Sequence, residues 1–344
     1  MEQVDLSRYE DAGRLGSGAD YEVRAAVDRE TGKQVVLKRP IPQMISRQLH
    51  GNTEARTEQT LRIHQEMGGA IPGIVPILGY TEPAVHDSYF GDSLGQEYRV
   101  TVEERATGIP LFVGDARARI TGVPVGVGQN LFALFPPSPG SGHHPYPIHQ
   151  QLLDVEETFL KAGYLLLDLG PQNIFYQPGA AQIAAQITVI DIGGLVRIDE
   201  EPSRRGIPPK DFHDFCLEVL KYYTTPQQPP SESGGYRDPH GLRPVVRFEE
   251  ELDAMSRSFD QPDDPAHAAA LHVIERVRGR GYSDLGGFRR DLTSYLDEVS
   301  RRNKERFAEK PVRQAWTEAL GWLRGEYWQR FTFDEPTEFA AFVN

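Results

Sequence analysis

Asp168-Leu-Gly-Pro-Gln-Asn173 sets an acid and an amide five residues apart, and Asp191-Ile-Gly193 supplies a second acid after the next apolar run. All three side chains offer oxygen, the donor that hard divalent cations prefer. An acid, an amide at that spacing and a second acid behind a strand suit a Mg²⁺-nucleotide site.

Such a trio needs a frame. The apolar run Tyr164 to Leu167 leads into Asp168. Asn173-Ile-Phe-Tyr176 reads as a short strand, Gln177-Pro-Gly179 as a turn and Ile187 to Ile190 as the return strand. The resulting hairpin would present Asp168, Asn173 and Asp191 on one side. Before it, Ile148 to Ala162 reads as a helix with Leu152, Val155 and Phe159 at 3–4 spacing, ended by Gly163.

The first hundred residues have a different pattern. Leu15-Gly-Ser-Gly18 is followed by alternation through Val23, Ala25 and Val27, a turn signal at Asp28 to Gly32, and the strand-like run Val35-Val-Leu-Lys38. This predicts an antiparallel meander. Glycines at its first turn would let backbone amides approach phosphates. Thr53 to Met67 reads as a helix capped by Thr53, with Glu54, Glu58, Leu61 and Gln65 along one face and Gly68-Gly69 at its end. Ala84 to Gly95 reads as a polar loop, and Tyr98 to Glu104 alternates again.

Taken in order, these motifs resemble the protein kinase superfamily, in the manner of a divergent eukaryotic-like Ser/Thr protein kinase of bacterial type. Gly16-x-Gly18-x-x-x-x-Val23 is similar to the kinase glycine loop, and Lys38 to the phosphate-binding lysine of the next strand. Glu58, 20 residues after Lys38, stands where the family's helix glutamate pairs with that lysine, with Glu54 one turn earlier. Asp168 and Asn173 resemble the catalytic loop, and Asp191 the metal-binding loop. The resemblance implies an α+β, two-lobed fold: an N-lobe of antiparallel sheet plus one helix over 1–106, and a mainly helical C-lobe over 107–300. Residues 112–146 and 224–245 match poorly, and 301–344 form a C-terminal helical extension.

It also implies roles. Gly16, Gly18, Val23 and Lys38 would bind ATP, with Glu58 steadying Lys38. Asn173 and Asp191 would hold Mg²⁺. Asp168 would orient an acceptor hydroxyl and take its proton. The implied activity is transfer of the ATP γ-phosphate to Ser/Thr hydroxyls of a protein substrate. A pseudokinase that binds nucleotide or a regulatory partner with little turnover, and a kinase for a small-molecule hydroxyl, are the alternatives.

The departures are specific. Tyr21 stands at the third glycine position of the loop. Leu166-Leu167 replaces the His-Arg that precedes the catalytic aspartate, a non-RD arrangement without a docking arginine for a phosphorylated activation loop. Gly170 stands where Ser/Thr kinases carry a lysine on the γ-phosphate, and Ile192 replaces a phenylalanine. Asp211, the anchoring aspartate of the buried helix by resemblance, follows Asp191 by only 20 residues. The platform for a peptide substrate looks truncated.

The remainder of the chain bounds the reading. A net charge of −13 disfavours general nucleic-acid binding. No run approaches the roughly 20 apolar residues of a membrane span, and the N-terminus carries neither a basic segment nor an apolar one. A single cysteine, Cys216, permits no intrachain disulfide and falls on the apolar stripe of Phe212, Phe215, Val219 and Tyr223. A cytoplasmic location is the expectation. His143, His144 and His149 cluster among prolines and read as a solvated loop rather than a zinc site. Ser283 is expected to cap a helix with the stripe Leu285, Phe288, Leu292, Leu296 and Val299. Trp316, Leu320, Leu323 and Tyr327 outline a last helix.

Overall fold

The computed structural model describes residues 1–18, 20–48, 50–69, 71–107, 109–110, 148–167, 169, 173–177, 186–198, 210–223, 244–306 and 310. The fold is mixed α+β. The chain divides into two compact units, one over residues 1–106 and a second beginning at Thr107.

The first unit is built on a six-stranded sheet of order β1-β5-β8-β4-β3-β2. Its strands are β1 (Glu2–Gln3), β2 (Tyr9–Ser17), β3 (Tyr21–Asp28), β4 (Gln34–Pro40), β5 (Ile77–Tyr80) and β8 (Thr101–Glu104). All pairings are antiparallel except β1 with β5. The meander expected from the alternation forms, and its turns follow from the sequence. Asp28 accepts from the Glu30 amide and the Thr31 hydroxyl, and Gly32 takes a positive φ of 69° to close the β3–β4 hairpin. Two register shifts in the β2–β3 ladder, at Asp11/Gly13 and Arg14/Gly16, bend β2 ahead of the glycine turn.

Helix α1 (Pro42–Ser46) follows β4, and α2 (His50–Glu66) packs against β4. Helix α2 starts three residues earlier than its sequence suggests. Thr53 therefore lies inside the helix, buried, rather than capping it. Gly68 and Gly69, at φ 82° and 84°, end α2, and the Gly69 amide donates to the His64 carbonyl at 2.6 Å.

The segment read as a polar loop is instead a short excursion, β6 (Ala84–Val85), α3 (Asp87–Phe90) and β7 (Glu97–Tyr98), with β6 and β7 paired. Its apolar residues Tyr89, Phe90, Leu94 and Tyr98 join Val35, Leu37, Val100 and Val102 in one core. Polar residues outnumber apolar ones along the excursion. A few well-placed aromatics still anchor it, because each large buried side chain contributes about 1.5–3 kcal/mol.

In the second unit, β9 (Ile109–Pro110), β11 (Ile174–Gln177) and β12 (Gln186–Val189) form one small antiparallel sheet. Strands β10 (Tyr164–Leu166) and β13 (Leu195–Arg197) form another. Helix α4 (Ile148–Lys161) lies against β10 and β12. Helix α5 (Phe212–Tyr223) buries Phe215, Cys216, Leu217, Val219, Leu220 and Tyr223, and packs against α6 (Pro244–Ser256), α7 (Pro265–Arg278), α8 (Leu285–Arg306) and β10. A helix buried on nearly all sides, its polar residues His213, Asp214, Glu218 and Lys221 included, is central, and Cys216 is a core thiol.

Two local readings change. The residue that caps α8 is Asp284, whose Oδ1 accepts from the Gly287 amide at 2.9 Å. Ser283 instead bonds the Asp284 carboxylate. Its buried stripe is Leu285, Phe288, Leu292, Tyr295 and Val299. His149 belongs to the first turn of α4 rather than to a solvated loop. It is buried, with Nε2 3.0 Å from Thr293 Oγ1 and its ring edge-on to Tyr223. The periodicity that makes 148–161 a helix carries this histidine inward with Leu152. His143, His144, the 112–146 segment and the Trp316 to Tyr327 stripe lie outside the described residues. Among the described residues, no helix is long and apolar enough to cross a membrane.

Candidate functional site

In the first unit, strand pairing brings three of the expected nucleotide-binding residues into one strip. Gly16 lies opposite Val23 across β2–β3, and Val23 lies opposite Lys38 across β3–β4. Directly opposite residues in an antiparallel ladder share a face, so Val23 and Lys38 sit side by side. Gly18 closes the β2–β3 hairpin by donating its amide to the Tyr21 carbonyl at 2.9 Å.

Neither Gly16 nor Gly18 has a positive φ, and a Cβ built on either meets no described atom within 4 Å. Backbone geometry and packing thus place no demand for glycine at these two positions.

Lys38 is half-buried, and its ammonium lies 4.6 Å from the centroid of the Tyr21 ring. The Tyr21 hydroxyl reaches α2, 2.9 Å from both the Thr53 carbonyl and Thr57 Oγ1. The hairpin tip is tied to the same helix by an ion pair between Asp20 and Arg56.

Helix α2 also carries the two candidate acids. Glu58 is largely exposed, with 58% of its side-chain surface accessible, and lies 3.5 Å from Arg99. Glu54 is better buried, at 19%. Its carboxylate meets the Arg99 guanidinium at 3.3 Å and accepts from the Arg99 amide at 3.3 Å. Arg99 sits just before β8, and no motif in the sequence points to it. It also contacts Glu82 at 3.9 Å and lies 5.9 Å from the centroid of the Tyr80 ring.

In the second unit, β11 and β12 pair as expected, with Ile174 opposite Val189. The ladder continues one step, since the Ile190 amide donates to the Asn173 carbonyl at 2.9 Å. Asn173 and Asp191 therefore leave the same end of the hairpin. Asp191 folds back on itself, its Oδ1 accepting from the Gly193 amide at 2.9 Å in a one-residue turn. Strand β10 is joined to the segment behind Asp191: Leu166 pairs with Leu195, and the Leu167 amide donates to the Gly194 carbonyl at 3.3 Å. Asp168 and Gly170 lie outside the described residues. The apolar side chains around them, Leu166, Leu167, Leu169 and Ile192, are all buried. At Leu166 and Leu167, where the family's His-Arg would stand, the chain thus carries packing residues.

The strand β10 is held from its other side by Glu156 of α4. This carboxyl is fully buried, and its Oε2 accepts from the Leu166 amide at 3.0 Å, while Oε1 has no hydrogen-bond partner among the described residues. Burial pushes its pKa well above the usual carboxylate range, with the Leu166 bond a smaller opposing effect. Its position in α4 falls on the inward stripe, the one signal in the sequence that could have exposed it.

Asp211 does not stand alone at the start of α5. It accepts from the His213 amide at 2.7 Å, lies 3.0 Å from His213 Nδ1 and pairs with Arg280 at 2.5 Å. Burial would raise its pKa, but the His213 and Arg280 hydrogen bonds outweigh it and bring it to about 2. The neighbouring Asp214, almost fully buried, takes Lys210 at 2.9 Å and Arg280 at 3.4 Å.

The donor chemistry fits a small hard cation. Asn173 and Asp191 offer an amide and a carboxylate oxygen from one hairpin end. Mg²⁺ is commonly held by one or two protein ligands plus substrate phosphates and water rather than by an all-protein cage. Among the described residues no group of three or more His, Cys, Asp or Glu could hold a metal by itself. No protein-family model and no curated protein matches the chain, so the reading rests on its own residues.

Proposed function

We propose that this chain is a protein-kinase-like phosphotransferase that uses Mg-ATP and transfers the γ-phosphate to Ser/Thr hydroxyls of a protein substrate. The observation that carries the proposal is the double junction of the second unit. The Asn173 carbonyl is bonded to Ile190, and Leu167 to Gly194. The residue before Asp168, Asn173 and Asp191 are thereby linked through two backbone bonds to the segment 190–194. Phosphoryl transfer asks mainly for positioning and charge neutralisation.

In this reading Asp168 orients the acceptor hydroxyl and takes its proton as the new P–O bond forms and the bond from the γ-phosphorus to the β,γ-bridging oxygen breaks, releasing ADP. Asn173 and Asp191 hold Mg²⁺, which when bound would neutralise charge on the phosphate oxygens. Gly16 and Gly18 offer bare backbone to the phosphates, Val23 supplies an apolar contact beside them, and Lys38 contacts the α/β-phosphates. An acid of α2, Glu58 or its half-buried neighbour Glu54, steadies the lysine.

A second reading, nucleotide binding with little turnover, is favoured by Gly170 and by Tyr21 over Lys38. Loss of one electrostatic donor to the transferring group costs roughly 3–4 kcal/mol. The short Asp191–Asp211 separation favours a small-molecule hydroxyl over a peptide as acceptor.

Labelled Mg-ATP, offered to the full chain with generic protein substrate and with thermal shift in parallel, separates these readings. Transfer abolished by Asp168→Ala with the shift retained supports the kinase. A shift with no transfer to protein leaves the nucleotide-binding or small-molecule form. No shift at all would remove nucleotide from the reading.

A further inference from the structure

Resting on the kinase reading above, we propose that Tyr21 is a gate on Lys38: its ring occupies the approach that a polyphosphate must take to the ammonium, and it is latched shut by helix α2. Tyr21 opens β3 and pairs with Pro40, two residues along the ladder from the Val23–Lys38 pair. Side chains two apart share a face of the sheet, so the ring is directed over the lysine, and Nζ lies 4.6 Å from its centroid. That distance is within cation–π range.

The ring is held at its far end. The hydroxyl stands 2.9 Å from the Thr53 carbonyl and 2.9 Å from the Thr57 hydroxyl, both on α2. Thr57 is itself fixed by donating to the Thr53 carbonyl at 2.9 Å. Asp20, the residue before the ring, is ion-paired with Arg56, whose guanidinium carbon also lies 6.0 Å from the ring centroid. The tip of the glycine hairpin is thus fastened to α2 on two neighbouring residues.

Phosphates cradled by the amides of Gly16 and Gly18 and reaching Lys38 would have to pass between the hairpin and the lysine. The Tyr21 ring fills that space. An anion gains the ammonium only by displacing the ring and releasing its hydroxyl from α2. The latch therefore lowers affinity for nucleotide, and it couples hairpin opening to α2, the helix that carries Glu54 and Glu58.

Two measurements on the full chain test this, with Thr57→Val, Tyr21→Phe and Tyr21→Leu. Thr57→Val loosens the latch and leaves the ring in place, and it fills the same volume. Tyr21→Phe removes the latch bonds and keeps the ring. Tyr21→Leu removes both. The first measurement needs no nucleotide: limiting acetic anhydride labels amines, and mass spectrometry reads the rate at Lys38 relative to exposed Lys33. Labelling should rise from wild type through Thr57→Val and Tyr21→Phe to Tyr21→Leu. The second is titration with Mg-ATP. Loss of the cation–π contact and of the hydroxyl's hydrogen bond to α2 should tighten binding about tenfold in Tyr21→Leu, with the other two variants between.

Unchanged Lys38 labelling in all three variants overturns the gate. So does faster labelling with Mg-ATP affinity equal to or weaker than wild type, because the ring would then not lie in the phosphates' way. Faster labelling with no variant binding Mg-ATP supports the shielding of Lys38 and overturns the kinase reading instead.

Discussion

The amide of Leu166 donates to the fully buried carboxyl of Glu156 across 3.0 Å, joining the strand that leads to Asp168 to helix α4. This bond closes an open strand edge with a side chain. Among the described residues β10 has one strand neighbour, β13, and Glu156 satisfies a backbone donor on its other side. Burial holds the carboxyl's pKa well above the usual carboxylate range. An unfolded glutamate ionises near pH 4.3, so the proton kept in the fold makes stability fall as pH rises above that value.

Glu156→Gln keeps an acceptor for Leu166 and removes the need for a proton. It is expected to be more stable than wild type at pH 8, with the difference shrinking toward pH 5. Glu156→Ala should cost about 1–3 kcal/mol by leaving the buried amide unpaired. Urea unfolding at both pH values measures this. Identical pH slopes for wild type and the glutamine variant would show that the carboxyl is ionised in the fold.

The two acids of α2 should separate cleanly. Glu54 is half-buried against Arg99, while Glu58 is mostly exposed. Exposed ion pairs contribute about 0–1 kcal/mol, so Glu58→Gln should leave the melting temperature nearly unchanged. Glu54→Gln should lower it by several degrees, as should Arg99→Met. In the labelled Mg-ATP assay Glu54→Gln should lower transfer more than Glu58→Gln. The reverse order would return the lysine-steadying role to Glu58.

Acid should destabilise the chain through two histidines. Burial lowers His64 to about 4 and also lowers His149 to about 4, the latter with help from Arg289. Both are neutral in the fold and charge on unfolding. Their contribution is complete above the unfolded value near 6.5 and is lost as pH falls toward 4. Each should add a slope of roughly 1.4 kcal/mol per pH unit in that window. His149→Phe and His64→Leu should each flatten the profile by about one proton, read from denaturant midpoints between pH 7 and 4.5.

The excursion over residues 84–98 is fastened by Arg39. Its guanidinium is 3% exposed, paired with Asp92 and with Glu22 at 3.3 Å, bonded to the Tyr98 hydroxyl at 3.0 Å and lying 4.0 Å from the Phe90 ring centroid. Arg39→Met takes the guanidinium from part-exposed Asp92 and from the buried Tyr98 hydroxyl, while Glu22 keeps Arg24 at 2.8 Å, and should cost about 1–3 kcal/mol. Arg39→Lys should recover little of it, because an ammonium lacks the planar fork that serves several acceptors at once. Limited proteolysis near Gly91 to Gly95 gives a direct readout of whether the excursion has come loose.

Much of the frame was legible in the chain. Alternation through Val23, Ala25 and Val27 and the turn at Asp28 to Gly32 imply the meander. The apolar runs around Asn173 and Ile190 imply the hairpin that seats the acids. These signals are local: a two-residue period, a turn residue and a helical stripe each act within a few residues. The cap of α8 was read one residue early, at Ser283 instead of Asp284, because both residue types accept from an N-terminal amide. The excursion was read as a loop because its anchors, Phe90 and Tyr98, declare themselves only against Arg39.

By itself, the sequence determined the kinds and spacing of the groups that could do chemistry: Lys38 on a strand behind two glycines, Asp168 and Asn173 on one loop, and Asp191 behind a strand. It determined the strand registers too, because a one-residue slip would turn every apolar side chain to the wrong face. Only the tertiary structure decided which groups meet across long separations. Tyr21 lies over Lys38 and is latched to Thr53 and Thr57. Arg99 gathers Glu54 and Glu58, Glu156 is buried beneath Leu166, and His149 is buried against Thr293. The reason is physical. Hydrogen bonds and ion pairs form wherever packing leaves donor and acceptor within about 3 Å, and packing is set by the burial of the whole chain rather than by neighbours in sequence.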